Sequence, residues 1–133
     1  MNRPGTRMAE ISSDEALWLL QGTTWGRLIY TKRGTTVVRP ARHTWEYGRL
    51  IIRTPVPISA IPVTAAYHAD DLHTAPGWQV TVTGPAEVIE DPDEAAHYRR
   101  TLTAPTHGPH DTVLRLHPST ITGYRLHQPK TRR

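Results

Sequence analysis

The sequence predicts a mainly β protein, a small antiparallel barrel of six to seven strands with short helices at its openings. Short runs rich in β-branched residues recur between turn signals, two segments carry helix-start signals, and 133 residues hold one core but not two. The longest run whose residue types agree spans residues 77–89. There Val80, Val82 and Val88 alternate with Gln79, Thr81, Thr83 and Glu87, the period of a strand with one buried face. Gly84 and Pro85 interrupt it midway, as at a bulge or a bend where a sheet curls. Trp78 opens this strand after Ala75-Pro76-Gly77, either as a core anchor, the commoner use of an indole, or as a platform for a planar ligand.

Taken in order, the chain starts with residues 1–11, expected to be flexible, and the barrel is expected over residues 12–127. Ser12 and Glu15 stand at capping-box spacing ahead of Ala16-Leu17-Trp18-Leu19-Leu20, which predicts a short helix ending near Gly22. Residues 27–31 read as a strand, Lys32-Arg33-Gly34 as a hairpin turn and residues 35–39 as the partner, closed or bulged by Pro40. Residues 44–48 read as a second turn and residues 49–54 as a third strand. Pro55, Pro57 and Pro62 leave room for one helical turn at most, around Ile58 to Ile61. Residues 63–68 read as a fourth strand, and Asp70 and Asp71 as part of an acidic turn. Asp91 as cap, Pro92 at the first helical position and Glu94 start a second helix that stops before Pro105. Residues 112–117 and 121–126 supply two last strands, and residues 128–133 read as a disordered basic tail.

Composition narrows the chemistry. The chain has no cysteine, so disulfides, thiolate metal sites and a cysteine nucleophile are excluded. No stretch approaches a membrane span and the first residues lack the apolar region of a signal peptide, so a soluble, cytoplasmic protein is expected. The net charge of +4 is divided by position. Between Arg27 and Arg53 lie seven basic residues and one acid, Glu46, whereas residues 54–98 hold no Lys or Arg and seven acids. A basic first half made of strands can form a pocket for a phosphorylated ligand, a groove for a polynucleotide, or a solvated face.

The order of these pieces resembles the pyridoxamine 5'-phosphate oxidase-like proteins with the FMN-binding split-barrel fold, most closely the small actinobacterial-type members. The resemblance rests on Gly26-Arg27-Leu28, Val38-Arg39-Pro40, Ile52-Arg53-Thr54, Tyr67 to Asp71 ahead of Gly77-Trp78-Gln79-Val80 with Gly84 and Ala86, and Val113 to Leu116 with Ile121-Thr122-Gly123. It implies a homodimer with two pockets at the subunit interface, each holding FMN or, in some relatives, a deazaflavin coenzyme or haem, and hydride transfer with a small-molecule substrate. Carried over by position, it implies that Arg53 and Thr54 contact the cofactor phosphate. It places Arg39 and Pro40 along the isoalloxazine and ribityl chain, with Trp78 approaching the cofactor of the other subunit. One position departs from the family: where a glycine-serine-lysine sequence is usual, this chain has Ile58-Ser59-Ala60. Ser59 remains and the lysine does not, a change worth about ten- to a hundredfold in phosphate affinity. Only Arg39, Arg42, Arg53 or a partner residue can compensate.

Other constellations are weaker. His107 and His110 flank Gly108-Pro109 on a turn with no fixed ligand geometry, so no metal site is expected. His43 and His68 lie on or near strands, as hydrogen-bonded strand residues or as groups facing a pocket. Catalytic residues are not legible. Three readings follow: a flavin-type oxidoreductase; the same fold with a degenerate flavin site, taking haem or a natural-product intermediate or working without cofactor; and a nucleic-acid-binding barrel, against which the acidic second half argues.

Overall fold

The computed structural model describes residues 7–127. The expected basic tail at 128–133 lies outside them. The elements are β1 (Arg7–Ile11), α1 (Ser13–Gln21), β2 (Trp25–Lys32), β3 (Thr35–Glu46), β4 (Arg49–Thr54), a 3-10 turn (Ile58–Ala60), β5 (Thr64–Asp71), β6 (Gly77–Val88), α2 (Pro92–Thr101), β7 (Thr112–Leu116) and β8 (Thr120–His127). Every pairing is antiparallel. The strand order β1-β8-β6-β5-β2-β3-β4-β7, with a further β6–β7 pairing, closes six strands into a barrel and leaves β8 and β1 as an extension. This is the split barrel expected from the sequence.

Both helices begin as their caps dictate. The Ser12 side chain accepts the Glu15 N–H at 3.1 Å, and Asp91 accepts the Glu94 N–H at 2.9 Å. α1 then buries Ala16, Leu19 and Leu20 in the barrel core with Leu28, Leu50, Ile52, Tyr67, Val80, Val82, Leu114 and Leu116. Each such leucine contributes about 1.5–3 kcal/mol. α2 lies over the outer face of β4 and β7, where Ile51 and Val113 pack against Ala95, Tyr98 and Leu102.

The structure corrects three expectations. Residues 7–11, read as flexible, form β1 in register with β8, from Arg7 opposite His127 to Ile11 opposite Gly123. The strand after the first hairpin does not end at Pro40 but runs to Glu46, and residues 44–46, read as turn, belong to it. A proline is tolerated there because β3 pairs with β4 only from Arg42 to Glu46, so its first half pairs with no strand but β2 among the described residues. Asp70 and Asp71 end β5 rather than starting a turn. Both ends of β3 are closed by two-residue turns, Arg33-Gly34 and Tyr47-Gly48, whose four φ angles are all positive, as in type I′ hairpins.

β6 bends where Gly84 and Pro85 predicted. It pairs with β8 from Gly77 to Thr83 and with β7 from Ala86 to Val88, while its other edge follows β5. The β7–β8 connection sits on this bend: the His117 N–H donates to the Pro85 carbonyl at 2.9 Å and the Ser119 N–H to the Thr83 carbonyl at 2.8 Å. A Cβ on Gly84 would overlap the His117 carbonyl oxygen. Gly84→Ala should therefore lower stability by about 1–3 kcal/mol or more by forcing the connection off the bend. Urea denaturation checks this, with Gly108→Ala, which faces open space, as the control.

Candidate functional site

α2 covers one outer face of the barrel. On β2, β3 and β5, alternation decides which residues face outward. Ala41 and His43 of β3 are buried, whereas Val38 and Pro40 are exposed and Arg42 half-buried.

His43 anchors this wall from inside. Its Nε2 is 2.9 Å from the Leu20 carbonyl and its Nδ1 is 2.5 Å from the Tyr67 hydroxyl. A carbonyl only accepts, so Nε2 carries the proton and Nδ1 accepts from Tyr67. The ring is neutral in this arrangement, and burial holds its pKa below the usual histidine value. Burial also pushes the Tyr67 hydroxyl well above the usual tyrosine range, keeping it a donor. Gly26 makes the pair possible, since a Cβ there would overlap the Tyr67 ring. With both nitrogens engaged, His43 is a core hydrogen-bonding residue and not a ligand.

Two clefts open beside this wall. The narrower, about 330 Å³, is lined by Trp25, Gly26, Arg27, Val38, Pro40 and Asp70. The broader, about 790 Å³, is lined among others by Trp18, Trp25, Asp70, Asp71, His73 and Trp78. Trp25 and Asp70 belong to both. The Arg42 guanidinium lies over the Trp25 ring, 3.3 Å from its centroid, and donates to the Thr24 hydroxyl at 3.3 Å. Its Nε is buried and has no hydrogen-bond partner among the described residues. Behind Asp70, His68 Nε2 is 3.0 Å and Arg27 Nη1 3.4 Å from Oδ2, and His68 Nδ1 is 3.2 Å from the Thr81 hydroxyl. Asp71 does serve the following turn, accepting the His73 and Thr74 N–H groups at 3.1 and 3.3 Å.

The residues singled out from the sequence separate into two groups. Pro40 lines the narrow cleft, Arg42 stacks behind it, and Trp78 is a core residue that also borders the broad cleft. Arg39 is exposed and donates to the Val38 carbonyl at 2.9 Å. Arg53 grips Asp111 with Nε and Nη2 at 2.9 and 2.7 Å and gives Nη1 to the Arg99 and Leu102 carbonyls at the end of α2. The Arg53 hydrogen bond holds the Asp111 carboxyl below the usual carboxylate range. Thr54 is fully buried and its hydroxyl donates to the Pro40 carbonyl at 3.0 Å. Ser59 is exposed beside a separate cavity shared with Tyr30 and Lys32. Trp18, Trp25 and Asp70 were missed, although Trp25 shares the outward parity of Arg27 and Ile29.

Residues 12–125 match the pyridoxamine 5'-phosphate oxidase family. The chain belongs to that family. A curated relative, an uncharacterised protein of Mycobacterium tuberculosis, is 34% identical over 143 aligned residues, covering 92% of this chain and 94% of the relative. Among solved structures, an FAD binding protein from Mycobacterium smegmatis is 27% identical with a TM-score of 0.68, covering 90% of this chain and 98% of its own. An FAD-binding protein from Mesorhizobium loti, 16% identical, has a TM-score of 0.72 and covers 93% of this chain and 100% of its own. Among the described residues no helix is long and apolar enough to cross a membrane.

The buried pair gives this family member a defined acid sensitivity. Folded His43 takes up its proton at a lower pH than the unfolded chain, which binds one near pH 6.5. Its contribution to stability is intact above that pH and declines as pH falls below it, by about 1.4 kcal/mol per pH unit until the folded-state pKa is reached. Tyr67→Phe removes the donor to Nδ1 and should cost about 1–3 kcal/mol at pH 8. Urea denaturation of both proteins between pH 8 and 5 checks the pair.

Proposed function

We propose that this protein binds a flavin on the outer face of β2 and β3 and, with it, acts as an oxidoreductase on a small molecule. One observation carries the reading: on the outer face of β2 and β3, where the first half of β3 pairs with no strand but β2 among the described residues, a cleft sets the indole of Trp25, with the Arg42 guanidinium stacked on it, beside Val38 and Pro40. A flat heterocycle needs such an aromatic and apolar wall with a fixed cation beside it. Family membership and the two FAD-binding structural neighbours support the flavin.

The ring end of such a cofactor fits the residues present. Trp25, Val38 and Pro40 would hold it flat, with the Arg42 guanidinium behind Trp25 as the nearby cation. A bound flavin supplies the hydride chemistry; the chain binds and orients it and limits its exposure to water. The phosphate end departs from the expected set. Four of the hydrogen bonds that Arg53 makes go to Asp111 and to the α2 carbonyls, and Thr54 is buried. We assign the phosphate cation to the partner subunit of a homodimer, and FMN as the flavin. Part of the positive charge is also taken out of any field for nucleic acid, since Arg27, Arg53, Arg99, Arg115 and Arg125 are in ion pairs.

The visible spectrum of the purified protein, followed by fluorescence titration with FMN, FAD and a deazaflavin, tests the reading. A yellow protein, or a flavin affinity that Arg42→Ala weakens about ten- to a hundredfold, supports it. Arg53→Ala should instead lower the unfolding midpoint. A folded, colourless protein that takes up none of the three would sink the flavin reading and leave the same fold with a different ligand.

A further inference from the structure

Tyr30 is a buried tyrosine with an unused hydroxyl. It is 7% exposed and its ring packs in the barrel core. The other two buried tyrosines, Tyr67 and Tyr98, direct their hydroxyls to His43 and Glu46. That of Tyr30 makes no hydrogen bond among the described residues, and it is not sealed from water, since the wholly buried side-chain atoms without a partner are Arg42 Nε and Arg115 Nε. A buried phenol whose hydroxyl is neither bonded nor shut away opens on a cavity, and Tyr30 lines one of about 350 Å³.

This cavity lies at the barrel end that the β4–β5 connection closes. Leu28, Tyr30 and Lys32 share one parity of β2, which runs from the core to the rim, where Lys32 is exposed. From the connection come Pro57, the 3-10 turn with Ser59, and Pro62. Ala60 and Ile61 pack against the core, and the prolines restrict the backbone on either side, so this wall is formed in advance. Lys32 is the one charged residue in the lining and is in no ion pair among the described residues; the Ser59 hydroxyl makes no hydrogen bond there. No lining residue is shared with either cleft.

One ammonium and the hydroxyls of Tyr30 and Ser59, above prolines, Ala60 and Ile61, describe an anion on an apolar body. The charge chooses the anion. A carboxylate carries one negative charge and matches Lys32 alone, whereas a phosphate monoester carries about two and calls for a second cation, which the lining lacks. We propose that the cavity bounded by Tyr30, Lys32 and Ser59 is a binding site for a small aliphatic carboxylic acid, held as its carboxylate. Lys32 and the Tyr30 and Ser59 hydroxyls donate to the two oxygens, and the aliphatic part covers Ile61 and the prolines. The site needs no flavin and is independent of the clefts.

Calorimetry of the full chain at pH 7.5, with and without added FMN, tests this using isovalerate. Isovaleramide and isopentylamine are the neutral and cationic controls, and inorganic phosphate is the dianion. Isovalerate should bind saturably, at least about tenfold more tightly than any of the three, whether or not FMN is present. Lys32→Met, which keeps the stem, should weaken it about tenfold. Tyr30→Phe, which keeps the packed ring, and Ser59→Ala should each weaken it about three- to tenfold. All three variants should unfold at the midpoint of the parent, because none removes a bond within the chain. Binding of the amide or of phosphate as tight as that of isovalerate overturns the proposal, as does no binding of isovalerate at all. Affinity that Lys32→Met and Tyr30→Phe leave unchanged, or that FMN abolishes, overturns it as well and moves the anion to the clefts.

Discussion

Strand β6 has two edges and three neighbours, and the architecture follows from how it serves them. One edge runs along β5; the other starts on β8 and changes to β7 at Gly84 and Pro85. The β7–β8 connection can approach because position 84 has no side chain, and it satisfies the backbone groups that the change of partner would leave open. Closure through β7 gives six strands a common interior, which α1 enters from one side, while α2 lies on the outer face of β4 and β7. The clefts open on the side of β2, β3 and β5.

Inner and outer faces of that wall are chemically distinct although their residues are neighbours in sequence. Arg42 stacks on an indole outside while His43 bonds to Leu20 and Tyr67 inside. The Leu20 carbonyl belongs to the last turn of α1, so the helix that carries Trp18 is tied to the strand that carries Pro40 and Arg42. Trp78 bridges both environments, packed in the core on one side and bordering the broad cleft on the other.

The sequence exposed what depends on near neighbours. Both helix starts, the first turn of β3 and the bend at Gly84 are set by residues within a few positions and were legible, whereas the second turn, read as residues 44–48, is only Tyr47-Gly48. What stayed hidden depends on partners far along the chain. Pro40 reads as a strand end until it is known that one side of β3 is unpaired there. The resemblance implies a phosphate role for Arg53, but its pairing with Asp111, 58 residues away, was not legible. The division into a basic first half and an acidic second half looked like a functional field, yet Arg27 with Asp70 and Arg53 with Asp111 show part of it folded back on itself. The outward parity of Trp25 was readable, but its place beside Trp18 and Trp78 needed α1 and the β5–β6 connection brought together.

The paired two-residue turns at the ends of β3 also bear on how a chain of this kind can change length. One residue added at 33–34 or 47–48 would shift a register in which every second residue faces the core, turning Arg42 inward and His43 outward. No such penalty attaches to residues 72–76 or 103–111, which connect elements without belonging to a strand ladder. Changes of length are therefore less costly in those connections, away from Asp111 and the turn that Asp71 holds, than in the turns of β3.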